Sequence, residues 1–285
     1  MSFTFYPNLV QYAGFNAAAE PSIAGQVATM SGGETSATSP LYDLLDNTRN
    51  NTLSLDTNGE TDAATIQVEP SSSITCTFAI IDNHNLKTAD ARYKIAYNGG
   101  ANTATATVAY SGALGTELTS DSVSSNYATV AVDGVSLIPF SSASSASWQL
   151  IIDDVATFDA DVTLGELIFG ASFSPTYSPD INPDFGYDMP GSSFNETEGG
   201  HRYGYSTHSS KRQSWHFSWK YMTSANKTSL ENIFLYQRGI KYPFYFDIGT
   251  AATPILYRVR FARPLSFKGL TAGTWQADVY LEEEI

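Results

Sequence analysis

The sequence has a single cysteine, Cys76, and charged residues make up only 15% of its 285 positions. One thiol excludes an intrachain disulfide and a zinc site built on thiolates, so stability must come from packing or assembly. An ordinary globular chain carries roughly 25% charged residues. Here Ser, Thr, Ala, Gly and Tyr are abundant instead, and the hydrophobic content of 42% is enough for a packed core. This composition is typical of β-sandwiches.

Long apolar runs and a leader sequence are also missing. No apolar stretch approaches 18 residues, and residues 1–14 lack a basic start followed by an apolar segment. Those features mark transmembrane helices and secretory leaders. The sequence therefore predicts no membrane anchor and no secretion by its own means.

Motifs that carry catalysis are absent as well. The sequence has no GxSxG motif, no Walker phosphate loop and no HxxxH or HxH pair among its four histidines. Cys76 falls in a predicted core strand, where a thiol is inert packing. Two carboxylates could still meet in space for glycoside hydrolysis. We expect a protein that is not an enzyme, with no catalytic, cofactor-binding or metal-binding residues.

Basic residues are scarce in the first two thirds of the chain. Residues 1–199 contain 23 acidic and four basic residues, whereas residues 200–285 contain six acidic and 11 basic ones. The net charge thus changes from −19 to +5 at an abrupt boundary, within a total of −14. We interpret this change as two domains, at residues 1–175 and 176–285.

Residues 40–170 show short strands without a convincing helix among them. The strongest candidates are β-branched, apolar runs at 74–81, 147–154 and 162–170, and alternation predicts further strands at 53–55, 66–68, 93–97, 103–110, 127–132 and 135–140. A serine-rich break is expected after residue 140. Short strands at this spacing favour a sandwich over a βαβ fold.

The residue pattern of the C-terminal region predicts a strand, then a helix, then a second strand. Trp215, Phe217, Trp219 and Tyr221 alternate with polar residues, which predicts four rings on one buried face of a strand. A helix is predicted at 224–238, with Ser224 as its N-cap, Gly239 as its left-handed stop, and an apolar stripe of Leu230, Ile233 and Phe234. The predicted fold is therefore all-β: two β-sandwich domains, the second carrying this helix.

Two groups of polar residues are candidates for contacts with other molecules. His84 and Asn85 follow a core strand in a predicted loop, where they either cap backbone groups or contact a ligand. Asp153 and Asp154, with Asp159 and Asp161, form an acidic cluster that suits either calcium or a solvated loop. Arg258, Arg260 and Arg263 form a predicted outward row that could meet an acidic partner surface.

Several segments, taken together, resemble known phage proteins. Residues 40–46 (PLYDLLD), 79–86 (AIIDNHNL), 148–153 (WQLIID) and 164–170 (LGELIFG) resemble the galactose-binding-like jelly-roll domains of bacteriophage tail proteins. Residues 212–221 (RQSWHFSWKY), 234–239 (FLYQRG) and 243–246 (PFYF) resemble the ring domain of phage distal-tail and other tail-tip proteins. The two resemblances cover most of the chain, with the ring domain after the jelly roll.

The resemblance implies a structural virion protein located in the phage tail. It would form a homo-oligomeric ring, with a hexamer favoured, at the distal tail or tail tip and link the tube to hub, fibre or receptor-binding components. Host-surface carbohydrate is a further implied partner, and DNA would only pass through the channel. Attraction between the acidic and basic regions of neighbouring subunits would favour assembly.

A second function class stays open from the residues alone. The chain could be a carbohydrate-binding module or enzyme accessory domain that works as a soluble monomer. Because a jelly roll also serves as a spacer, the fold by itself does not decide between the two classes. The mass of the protein in solution separates them.

Overall fold

The computed structural model divides the chain into two units. It describes residues 3–9, 27–31, 34–35, 44, 51–57, 64–70, 72–97, 107–110, 127–153, 158–179, 184–188, 193–196, 202–205, 211–249 and 254–284. The N-terminal unit comprises residues 8–172, and the C-terminal unit comprises residues 1–7 together with 173–285.

Strands dominate both units. Strand β1 (Thr4–Tyr6) belongs to the C-terminal unit. The N-terminal unit contributes β2 (Val27–Ser31), β3 (Glu34–Thr35), β4 (Leu53–Asp56), β5 (Ala64–Glu69), β6 (Ile74–His84), β7 (Arg92–Tyr97), β8 (Thr107–Tyr110), β9 (Ala128–Thr129), β10 (Gly134–Ser145), β11 (Trp148–Asp153), β12 (Val162–Leu164) and β13 (Glu166–Gly170). The C-terminal unit continues with β14 (Asp184–Asp188), β15 (Ser193–Glu196), β16 (Arg202–Tyr205), β17 (Arg212–Thr223), helix α1 (Ser224–Tyr236), β18 (Phe244–Asp247), β19 (Leu256–Phe261), β20 (Ser266–Thr271) and β21 (Thr274–Glu283). The all-β prediction is confirmed.

The N-terminal unit surrounds one core with three antiparallel sheets. Their orders are β2-β5-β11-β7-β8 with β9 on β7, β10-β6-β13, and β12-β4-β3. Side chains from all three sheets meet in a single apolar cluster, including Leu150 of the first, Ile81 of the second and Leu55 of the third. Strands whose inner faces share one core in this way form a β-sandwich.

Two predicted N-terminal elements differ from those in the structure. The run at 162–170 is divided at Gly165, because β12 pairs with β4 while β13 pairs with β6 in another sheet. The serine-rich stretch is strand rather than a break, since Ala143–Ser145 of β10 pair with β6 after an irregularity that follows Pro139. Strand propensity depends strongly on what a residue packs against, so small hydroxyl residues can occupy such a ladder.

A single curled sheet forms most of the C-terminal unit. Its order is β1-β18-β19-β21-β17-β14, with β20 also on β21, and β15 pairs with β16 separately. Three strand spacings, about 14 Å, separate β18 from β17 along a flat sheet. The ring centroids of Phe246 on β18 and Phe217 on β17 are nevertheless 5.3 Å apart. The sheet therefore folds over itself around an aromatic core.

Helix α1 covers part of this core with Leu230 and Ile233. Its N-cap is Thr223 rather than the predicted Ser224, because the Thr223 side chain accepts a hydrogen bond from the amide of Asn226 at 3.2 Å. Gly239, at φ 72°, follows the helix in the left-handed conformation that was predicted for it. Among the described residues, no helix is long and apolar enough to cross a lipid bilayer.

The prediction of four rings on one face of β17 holds for only three. Trp215, Phe217 and Trp219 are buried, but Tyr221 is 65% exposed. Trp219 pairs with Ala277 and Met222 pairs with Trp275, so Lys220 and Tyr221 together oppose one residue of β21. This β-bulge shifts the alternation, and Met222 takes the inward position predicted for Tyr221.

The first residues of the chain belong to the C-terminal unit, although the predicted boundary placed residues 1–175 together. Phe5 of β1 pairs with Phe246 of β18 and exchanges two backbone hydrogen bonds with Phe173, at 2.8 and 2.9 Å. Phe3 and Phe5 both lie in the aromatic core. The N-terminal unit is therefore inserted, in the order of the chain, between two parts of the C-terminal unit.

Candidate functional site

His84 lies at the end of β6 and is almost completely buried. Its Nδ1 accepts a hydrogen bond from the amide of Leu86 at 3.3 Å, so Nε2 carries the proton and donates to Ser136 Oγ at 2.8 Å. Burial lowers the pKa of His84 below its usual 6.5, against opposing effects of the carboxylates of Asp133 and Asp82. The imidazole therefore holds the turn as a neutral ring.

Asn85 and Asp133 complete the same turn. Asn85 donates to the carbonyl of Asp161 at 2.8 Å and accepts from the amide of Thr163 at 2.7 Å. Asp133 accepts from the amides of Lys87 and Thr88 at 2.8 and 3.1 Å and from the Thr88 hydroxyl. Desolvation raises the pKa of Asp133, but these hydrogen bonds outweigh it and the net pKa is lowered. The predicted ligand loop is thus held by bonds within the fold.

Asp153 does not combine with the other predicted acidic residues. It is buried and pairs with the buried guanidinium of Arg92 at 2.7 Å. The cations of Arg92 and Lys94 lie 4.6 and 4.5 Å from the ring centre of Tyr127. Burial raises the pKa of Tyr127 to about 12, and burial lowers the pKa of Lys94.

The predicted acidic cluster has no calcium-like arrangement in the part of the chain that the structure describes. Asp159 and Asp161 are exposed, and Asp154 lies outside the described residues. No group of three or more His, Cys, Asp or Glu side chains is placed to hold a metal within the described ranges.

The three predicted surface arginines differ in their surroundings. Arg258 is buried, so it is not part of an outward row. Arg260 forms an ion pair with Glu284. Arg263 is exposed and lies over the ring of Tyr280, 4.5 Å from its centre. Arg260 and Arg263 are therefore engaged by neighbours in the same unit.

A cleft in the C-terminal unit was not predicted from the sequence. It lies between the segment Tyr177–Ser178, the β-bulge of β17 and the turn at Gly273–Thr274, and it has a volume of about 500 Å³. Tyr177 and Tyr221 line it and are 56% and 65% exposed. We call this site the tyrosine cleft.

The elements around the tyrosine cleft are fixed by the backbone and by a buried side chain. The indole Nε1 of Trp219 donates to the carbonyl of Tyr177 at 2.9 Å, which anchors that segment beside β17. The bulge turns Tyr221 outward, and Gly273 at φ 81° allows the tight turn between β20 and β21. Alternation alone predicts that Tyr221 points inward. Only a sequence pattern that marked the β-bulge in β17 could have revealed the site.

The C-terminal unit also exposes large apolar side chains away from the cleft lining. Leu235, near the end of α1, is 56% exposed, and Ile240, just after the helix, is 50% exposed. Exposed single apolar residues are ordinary, and these two, five positions apart in the chain, gain free energy when a partner covers them. Sequence periodicity gives no sign that this end of the helix is uncovered.

Comparison with known proteins gives only partial structural similarities. No protein-family model matches the sequence, and no curated protein matches it. A mutant of chitosan-binding module 1 from a Paenibacillus sp. IK-5 chitosanase/glucanase is 17% identical with a TM-score of 0.38, covering 58% of this chain and 99% of that module. The module CBM32-3 from a Clostridium perfringens family 31 glycoside hydrolase is 12% identical with a TM-score of 0.37, covering 52% and 91%. At these values the similarities assign neither a family nor a function to the chain.

Proposed function

We propose that this protein is a non-catalytic structural subunit of a phage tail. In this proposal it assembles through its C-terminal unit into a ring at the distal tail or tail tip and connects the tube to hub or receptor-binding components. The sequence resemblance motivates the proposal. The structural observation that supports it is the pair of exposed apolar side chains, Leu235 and Ile240, at the end of α1.

Apolar side chains of this size gain free energy when a partner removes them from water, about 25 cal/mol for each Å² buried. A ring needs a head-to-tail contact between different surfaces of identical subunits. Within the C-terminal unit, residues 173–199 carry five acidic and no basic residues, whereas residues 200–285 carry six acidic and 11 basic ones. These two segments provide charges of opposite sign for such a contact. Apolar contact gives the affinity, and charge helps to select the orientation.

The arginines are a less informative place to test this proposal. Arg260 holds Glu284 and Arg263 lies over Tyr280, so a reversal to Glu would disturb the unit itself as well as any contact. Leu235 and Ile240 are mostly exposed, and a substitution there leaves the core intact. Substitutions at these two positions therefore distinguish a defect in assembly from a defect in folding.

The test is the mass of the full chain by light scattering and native mass spectrometry, over concentrations up to about 1 mM, where even weak contacts associate. We expect a discrete oligomer for the wild type and a monomer for the Leu235→Glu, Ile240→Glu double variant, with the same melting temperature when both are diluted until the wild type is also monomeric. Val132→Glu, at an exposed apolar position of the N-terminal unit, is the matched control and should stay oligomeric. A wild type that is monomeric throughout would overturn the proposal.

A carbohydrate-binding module or accessory domain that works as a monomer is the second candidate. The observation that favours it is the tyrosine cleft, which offers rings and hydroxyl groups together. A monomeric mass combined with saccharide binding would make it the better account.

A further inference from the structure

We propose that the tyrosine cleft is a saccharide-binding site of the C-terminal unit. The candidate ligand residues from the sequence lie in the N-terminal unit, whereas the cleft lies in the other unit. The inference does not depend on the oligomeric state, since a tail subunit and a monomeric module could each carry such a site.

The size and position of the cleft suit a short saccharide. Its volume of about 500 Å³ falls within the range of roughly 300–1,000 Å³ that is usual for small-ligand pockets. It is open to solvent along the exposed rings of Tyr177 and Tyr221. A chain of sugar rings can therefore lie in the cleft with its ends free.

The lining matches the two kinds of surface that a sugar presents. The C–H face of a sugar ring is apolar and packs on the flat face of a tyrosine, whose hydroxyl also offers a hydrogen bond. Ser178 and Thr274 add hydroxyl groups that both donate and accept, and Lys220 adds a donor. Thr223 also lines the cleft, but its hydroxyl oxygen already caps α1.

The same lining disfavours a nucleic acid. Binding a phosphate backbone depends on several cations that neutralise successive phosphates. Among the described lining residues, Lys220 is the only cation. An uncharged or weakly charged polyhydroxylated ligand fits this single ammonium group better.

The cleft is formed before any ligand arrives. Trp219 is buried and holds the Tyr177 carbonyl at 2.9 Å, and the bulge that carries Tyr221 is part of the ladder between β17 and β21. Binding therefore orders few groups, which reduces its entropic cost. A weak but specific saccharide contact needs such an arrangement.

The experiment is saturation-transfer NMR on the full chain with maltotriose, cellotriose, lactose and triacetylchitotriose as probes. We expect transfer to at least one probe, and a loss of affinity of about tenfold in Tyr221→Ala and in Tyr177→Ala, because each removes an aromatic platform. Tyr187→Ala removes a tyrosine that is 62% exposed and does not line the cleft. This control should bind as the wild type does.

Two results would overturn the inference. One is the absence of transfer to all four probes. The other is equal binding by Tyr221→Ala and Tyr187→Ala, which would place the saccharide elsewhere. If Tyr221→Ala instead lowers the mass of an oligomer and no probe binds, the cleft holds a second copy of the chain rather than a sugar.

Discussion

His84 makes the stability of the N-terminal unit sensitive to pH. Its Nδ1 accepts the Leu86 amide, so a proton added at Nδ1 removes this acceptor and places a charge in a buried turn. The folded-state pKa is lowered by burial, and the unfolded chain therefore binds the proton first. The neutral ring contributes its full stabilisation at pH values above the pKa of His84 in the unfolded state. This contribution decreases as the pH falls toward the lower pKa of His84 in the folded state.

We expect the unit to become less stable as the pH is lowered from about 7.5 to 5.5, the range in which an ordinary histidine titrates. Hydrogen exchange of the β6 amides at the two pH values, in urea, measures this change for one unit alone. His84→Gln should be less stable at the higher pH but should lose less stability on acidification. An equal loss in both proteins would contradict a role for His84. Asp133, whose net pKa is lowered, adds a loss only at still lower pH.

Trp219 connects the core to the cleft through one side chain. It is buried, packs near Phe217 with ring centroids 6.0 Å apart, and donates its indole hydrogen to Tyr177. Trp219→Ala should destabilise the C-terminal unit by roughly 3–5 kcal/mol because it empties a large core volume. Trp219→Phe keeps most of the packing and loses the hydrogen bond, at a cost of about 1 kcal/mol. Urea unfolding measures both, and a loss below about 1 kcal/mol for Trp219→Ala would mean that the ring is not core.

At the scale of elements, the end of α1 depends on a backbone conformation that favours glycine. Gly239 has φ 72°, and a Cβ there would lie 3.3 Å from Phe234 Cζ. Gly239→Ala should therefore destabilise the unit by about 1 kcal/mol or more. Gly269→Ala is the control, since its Cβ would meet Trp275 at an ordinary 3.5 Å and its φ is not positive. Equal melting temperatures for the two variants would contradict the strain argument.

The elements also show what the sequence can and cannot predict. The β6 strand and helix α1 follow from local patterns, a β-branched apolar run and an i, i+3, i+4 stripe, and both are present. The exposure of Tyr221 was missed because a bulge is set by the fit between β17 and β21, not by the order of residues within β17. The burial of Arg258 was missed for a related reason, because alternation shows which face a residue occupies but not what covers that face.

The predicted sites depended in the same way on tertiary contacts. His84 and Asn85 were predicted to follow the core strand in a loop, whereas β6 continues through His84. Their partners Ser136 and Asp161 come from distant positions in the chain, which the sequence alone does not show. The tyrosine cleft is built from three separate segments. Without knowledge of which segments meet, the sequence shows only isolated tyrosines.

At the scale of the whole molecule, the insertion of residues 8–172 within the C-terminal unit can be tested by removing them. Phe5 and Phe173 form a hydrogen-bonded pair, so a short turn of Gly and Ser between Pro7 and Phe173 can close the connection as in a hairpin. We expect this shortened chain to unfold cooperatively. Residues 173–285 alone should be less stable by several kcal/mol, because they lack β1 and the buried ring of Phe5.

Circular dichroism with thermal unfolding measures both chains. If residues 173–285 unfold at the same temperature with and without residues 1–7, then β1 is not part of that unit. The predicted boundary left β1 with the N-terminal region because three residues with one apolar pattern carry no sign of a partner strand so far along the chain.

The separation of β1 from its partner strand has a consequence for biosynthesis. Residues 1–7 are synthesised before the N-terminal unit, but β18, against which they pair, is made only after that entire unit. That unit is contiguous in the chain, so it can fold while translation continues. The nascent chain must meanwhile keep Phe3 and Phe5 from other apolar surfaces. Slowing translation within residues 173–248 should therefore prolong the time during which a chaperone that binds aromatic segments can be found on residues 1–7 of the nascent chain.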